Sequence, residues 1–227
     1  LEQQASRPQV TGWKRDVVVW LDSRIYGLAR HWLAIFNVLL GAYVLLPLLA
    51  PTLMAGGGQQ AGRLIYAVYK PACHQLPERS FYLFGPRITY TLDELQSLGL
   101  LSEDDDIFSR QRFLGAPGIG YKMALCQRDM ALYGGMLVAG LLFGLVRKRL
   151  QPLKLWVFGL CLLPMAVDGV TQMFLLREST WPLRVFTGGL VGVASVWLLY
   201  PHLENAFADL RQQANDRVHV EPSASQE

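Results

Sequence analysis

Trp32 to Met54 contains no charged side chain and is long enough, as a helix, to cross a hydrocarbon core of about 30 Å. Few folds remain open to a chain with such a run. Inside lipid each backbone N–H and C=O must be bonded within the protein, so an isolated apolar run crosses as a helix. Three further runs follow, Met130–Val146, about Leu155–Leu176 and about Pro182–Tyr200. Composition agrees: 52% of residues are hydrophobic and 17% charged, where soluble domains carry roughly 25% charged residues. The small net charge of +3, without a dense basic stripe, argues against a nucleic-acid partner. The lipid bilayer is the expected partner. The fold expected is all-α, a four-transmembrane-helix bundle with an N-terminal interfacial helix and a long extracytoplasmic loop.

Ahead of the first span, residues 1–10 read as a disordered tail. From Thr11 to Arg30, Trp13, Val17, Trp20, Leu21, Ile25 and Leu28 recur at helical spacing with basic residues on other faces. A helix lying among lipid headgroups has this pattern, and so does one packed on a neighbouring domain. No cleavable leader is evident, which makes the first span an uncleaved anchor. Pro47 and Pro51 sit near its far end, and Gly56-Gly57-Gly58 ends it. Gln59 to Lys70 has the pattern of a short amphipathic helix. Thr91 to Gly99 has a capping box in Thr91 and Glu94, with Gly99 at the C-terminus. Glu103–Asp106 is an acidic turn, since the ligand spacing and central glycine of a calcium loop are missing. Gly134, Gly135, Ala139, Gly140 and Gly144 in the second span, and Gly188, Gly189 and Gly192 in the fourth, allow close helix packing. Three parts are expected: 1–31, a cytoplasmic tail and interfacial helix; 32–200, the membrane domain with loop 56–127; and 201–227, a cytoplasmic tail with a disordered end.

Basic residues near the span ends set the orientation. The N-terminal segment carries five Lys/Arg and the Arg147–Lys154 turn four, against two in the Arg177–Arg184 turn. Both termini are therefore expected in the cytoplasm of a cell (inner) membrane, and the long loop outside. Every unusual polar residue then gathers at the outer side. Cys73, His74, Gln75, Glu78 and Arg79 follow the first helix, and Cys126, Arg128 and Asp129 open the second. Asp168, Thr171 and Gln172 lie in the outer half of the third, with Arg177 above them and Arg184 starting the fourth.

Asp168 is the sharpest of these signals. A carboxylate inside a spanning helix costs at least about 2.5–3.5 kcal/mol, so it must be paired, protonated or wet. An ion pair with Arg79, Arg128 or Arg184 that fixes helix register is the plain reading; a functional pocket could contain that same pair. Cys73 and Cys126 admit three readings: one disulfide, a metal site with His74 and a carboxylate such as Asp168, or a catalytic thiol with His74 as base. The cofactor such a donor set admits is a divalent transition metal. The catalytic candidates are His74, Cys73 and Asp168. Arg79, Arg128 and Arg184 suit an anionic group, which Gln75, Thr171 and Gln172 would orient.

Three motifs occur together: Cys-His-Gln-Leu-Pro-Glu-Arg-Ser-Phe at 73–81, Ile-Gly-Tyr-Lys-Met-Ala-Leu-Cys-Gln-Arg-Asp at 119–129, and Asp-Gly-Val-Thr-Gln at 168–172 followed by Arg-Glu-Ser-Thr at 177–180. Over roughly Leu33 to Tyr200 the chain resembles an uncharacterised family of prokaryotic predicted membrane proteins, a domain of unknown function. The resemblance implies a small multi-pass membrane protein with these motifs as its shared site, and no established activity. Some members have a second cysteine where this chain has Asp129, which weakens an all-cysteine metal site here. Two functions are open: an outward-facing site for a metal ion or anionic head group, with or without catalysis, and a non-catalytic accessory subunit that docks on partner membrane subunits.

Overall fold

The computed structural model describes residues 13–147, 149–174 and 177–220. The tail at 1–10, Lys148, the end of the third span at 175–176 and the last residues at 221–227 lie outside the described residues.

The fold is mostly helical, with four helices long and apolar enough to cross a membrane and one small sheet among the described residues. Helix α1 runs Trp13–Ala55, α5 Gln127–Val146, α6 Leu155–Met173 and α7 Trp181–Val220. Between the first two of these lie α2 (Gln59–Tyr69), β1 (Ser80–Leu83), α3 (Leu92–Ser97), α4 (Ile107–Arg112), β2 (Gly115–Ala116) and β3 (Gly120–Cys126). The strands pair antiparallel in the order β1-β3-β2, with Ser80 opposite Cys126 and Gly115 opposite Tyr121. The all-α expectation is corrected to this extent: the long loop carries a sheet. β1 and β2 are too short, and β3 too buried on both faces, to give the alternation that marks a strand in sequence.

Two proline effects shape the spans. Pro47 has no N–H for the carbonyl of Tyr43, four residues earlier, and that carbonyl accepts instead from the Tyr69 hydroxyl at 2.7 Å. Tyr69 ends α2, so the bond ties α2 to the first span. Pro201 similarly frees the Trp197 carbonyl, which accepts from the Leu153 N–H at 3.3 Å, while Trp197 Nε1 donates to the Gln151 carbonyl at 3.1 Å. With the freed carbonyl satisfied, α7 passes through Pro201 and continues to Val220. The expected boundary at 201 is therefore not an end of secondary structure. Likewise, the residues read as a separate interfacial helix are the start of α1, which is helical without a break from Trp13.

The described residues of Leu1–Ile35 and His202–Glu227 form one compact unit. Within it Trp32 Nε1 donates to Glu204 at 2.8 Å, its ring stacks on Phe207, and Arg211 donates to the Ala29 carbonyl and to Glu204.

The second unit, Phe36–Pro201, contains the sheet, α2–α6 and the polar motifs. Its helices α5 and α7 approach through their glycines. A Cβ on Gly188 would collide with the Arg128 carbonyl, and one on Gly192 with the Leu132 carbonyl. These two pairs, each four residues apart, bring the backbones together as small-residue faces do in lipid. In the connecting region, Thr91 and Glu94 form the predicted capping box, and Gly99 takes φ +69°. The acidic turn caps helices: Asp106 accepts from the Ser109 N–H at 2.7 Å and starts α4.

Substituting Gly192→Val should lower the thermal stability of the detergent-solubilised protein by about 1–3 kcal/mol or more, since a backbone carbonyl blocks the new methyl groups. Gly134→Ala, where a Cβ meets nothing within 4 Å, should leave the melting temperature unchanged or raised.

Candidate functional site

The polar motifs meet where the sheet joins α5. Cys73 ends the turn after α2, its N–H donating to the Tyr69 carbonyl at 3.0 Å. Gln75 follows with φ +50°, a left-handed conformation costly for a side chain with a Cβ. Its surroundings hold it there: its amide donates to the carbonyls of Tyr66 at 2.8 Å and Ala124 at 2.9 Å, and its own carbonyl accepts from Lys122 Nζ. The chain then reverses through a 3-10 turn at Pro77–Arg79 into β1.

On the other side, β3 ends at Cys126, which also starts α5. The Cys126 N–H donates to Cys73 Sγ at 3.3 Å. Asp129 lies in the first turn of α5, and Cys73, Cys126 and Asp129 bring their ligand atoms within 4.8 Å of one another. All three described cysteines are free thiols; Cys161 lies in α6, away from this group. The hydrogen bond with Cys126 holds the Cys73 thiol below its ordinary value. That same bond, reinforced by burial, pushes Cys126 well above its own. Of the pair, Cys73 ionises first.

These groups line a cavity of about 240 Å³ together with His74, Arg79, Arg128, Gln172 and Arg184. Cys73 is buried and His74 exposed. Arg184 Nη1 donates to Gln127 Oε1 at 3.0 Å and to the Glu78 carbonyl at 3.3 Å, and Gln127 Nε2 donates to the Ser80 carbonyl at 3.0 Å. The Glu78 carboxylate is taken up by Arg110 at 3.0 Å. Arg79, Arg128 and Arg184 each keep a buried Nε without a partner among the described residues.

Asp168 is engaged otherwise. Its carboxylate, 1% exposed, accepts from Arg128, from Arg177 Nη2 at 2.8 Å and from the Ser179 hydroxyl at 2.8 Å. Thr171 donates to the Val167 carbonyl at 2.8 Å and accepts from Arg177 Nε at 3.3 Å. The group of ligand atoms that lie together thus contains Asp129, while Asp168 is held by two guanidiniums and a hydroxyl. Arg128 touches both sets: it lines the cavity and binds Asp168.

Sequence reasoning passed over Gln127, Ser179 and Lys122. All three stand inside the quoted motifs, Lys122 in the 119–129 stretch, and that position is their signal. Lys122 is fully buried in mid-strand and donates to the carbonyls of Gln75 and Gln111, the latter at 3.0 Å. Nothing in the residues around a lone lysine between Tyr121 and Met123 marks it as buried until β3 is known. Burial pushes its amine down to about 7.

The fold and this site define a membrane protein with four candidate spans and a thiol–carboxylate group with arginines at the start of α5. The chain belongs to the predicted membrane protein family DUF2085, whose model matches residues 118–198. It is 33% identical over 140 residues to an uncharacterized protein of Methanocaldococcus jannaschii, an alignment covering 60% of this chain and 67% of that one. No solved structure matches.

Two outcomes test this geometry. Asp168→Ala should destabilise the protein by about 3–5 kcal/mol in thermal unfolding, because two guanidiniums lose the charge they face. Lys122 should make stability depend on pH. The unfolded amine titrates near 10.4 and the folded one at about 7, so between these values the unfolded chain binds more protons and stability rises with pH. Below this window both states are protonated and the dependence from this group ends. Melting curves of Lys122→Met should show a flatter rise over that interval than the wild type.

Proposed function

We propose that this membrane protein holds a divalent transition-metal ion at Cys73, Cys126 and Asp129, with His74 as a fourth donor, in a cavity facing away from the cytoplasm. The neighbouring arginines receive an anionic group. One observation carries this reading: two thiols and a carboxylate from separate parts of the chain converge within 4.8 Å. Two thiolates with a carboxylate and an imidazole suit zinc, which takes four such ligands tetrahedrally. A Cys73 thiol held low is already disposed to lose its proton to a metal. If His74 yields its place to water, the ion becomes a Lewis acid beside the bound anion. The unpartnered Nε atoms of Arg79, Arg128 and Arg184 support an anionic head group as that second ligand.

The outward orientation, with 1–31 and 201–227 on the cytoplasmic side, rests on the basic residues flanking the spans. The accessory-subunit reading loses part of its basis, because Gly188 and Gly192 are already covered by α5.

Metal analysis of protein purified with zinc in every buffer should find near-stoichiometric zinc, lost in Cys73→Ser and Cys126→Ser and reduced in Asp129→Asn and His74→Ala. Absence of zinc from the wild type, or mass mapping that finds Cys73 bonded to Cys126, would overturn the proposal.

A further inference from the structure

A second cavity, of about 560 Å³, lies between α2 and the α4–β2 segment. Three cations line it, Arg63, Lys70 and Arg112, and no acidic residue does. None of the three forms a salt bridge among the described residues. Met54, Phe113 and Leu114 supply apolar wall. The volume falls in the range of small-ligand sites, about 300–1,000 Å³.

The position of α2 says what kind of molecule arrives there. Met54 belongs to the last turn of the first membrane span, and α2 starts after the glycines that end it. Gly62, Tyr66 and Tyr69 face inward, while Leu64 and Val68, one turn apart, are 66% and 64% exposed. An uncovered apolar stripe where a span ends is the pattern of a helix lying in the bilayer interface. Arg63 and Lys70, seven residues apart, form the stripe between the buried face and this apolar one, and line the cavity. An amphiphile with an anionic head meets both surfaces at once, its phosphate on the cations and its chains along Leu64 and Val68.

We propose that this cavity binds the phosphate headgroup of an anionic membrane lipid. The site is separate from the thiol group and does not depend on the metal reading.

Full-length protein, delipidated in a neutral maltoside detergent, would be titrated calorimetrically with dioctanoyl phosphatidate. Saturable one-to-one binding is expected, with dioctanoyl phosphatidylcholine and inorganic phosphate each weaker by about tenfold or more. The double variant R63Q/K70Q should lose about tenfold or more in phosphatidate affinity, since each basic residue near a lipid surface contributes separately. If that variant does not fold, R112Q, on the opposite wall, carries the same expectation. R149Q/K154Q, which removes two like charges from another turn, should bind as wild type does. Wild-type affinity in R63Q/K70Q or in R112Q would overturn the proposal. An equal loss in R149Q/K154Q, or inorganic phosphate binding as tightly as the lipid, would overturn it too, the first showing general charge attraction and the second a soluble-anion site.

Discussion

A carboxylate inside a spanning helix has no water to turn to, and unpaired it costs at least about 2.5–3.5 kcal/mol. Asp168 is such a group, and its solution orders one end of the bundle. Arg128 reaches it from α5, Arg177 and Ser179 from the connection that follows α6. The start of α5 and the connection that follows α6 are thereby both fixed to the Asp168 carboxylate. Arg128 stands between Cys126 and Asp129, so fixing it fixes the entry of α5 and both of its candidate ligands. Glycine contact then sets α7: the Arg128 carbonyl lies against Gly188, one turn beyond Arg184. Any larger residue at 188 would push Arg184 away from Gln127 and from the cavity.

Charge in that cavity decides between an occupied and an empty site. Arg128 and Arg177 answer the single charge of Asp168, leaving Arg79 and Arg184 to face Asp129 and two thiols. With the thiols protonated, two cations face one carboxylate, and an anion is the ligand the cavity lacks. A divalent ion that displaces both thiol protons adds two positive and two negative charges, so it enters without changing that balance. Metal and anion therefore do not compete for the same electrostatic deficit. The hydrogen bond between the two thiols favours the first deprotonation, at Cys73, and opposes the second, at Cys126. Only a bound cation makes the second favourable.

The spans, the Thr91 capping box and the small-residue faces were legible in the sequence because each depends on residues within a turn or two of one another. The need to pair Asp168 was legible too, since lipid alone demands it, and Arg128 was among the partners expected. The change of carboxylate at the thiols was not legible. Depth along a helix places Asp168 and Asp129 at the same end of the bundle, but which one faces Cys73 depends on helix rotation, which is set by contacts between distant segments. The length of α7 was not legible for a similar reason. A proline normally argues for a helix end, and the N–H that lets α7 continue belongs to Leu153, on another element. Strand β3 was hidden because its residues are buried on both faces, with Lys122 in their midst.

Lys122 also explains how two cavities of different chemistry remain separate. Gln75 lines both, and it adopts a left-handed backbone that nothing in its own side chain favours. Three hydrogen bonds hold it: two from its amide into α2 and β3, and one accepted by its carbonyl from the Lys122 amine. Burial opposes the charge on that amine, while the nearby Glu78 and Cys73 favour it. The peptide that divides the two cavities is therefore held by a buried amine rather than by a conformational preference of its own.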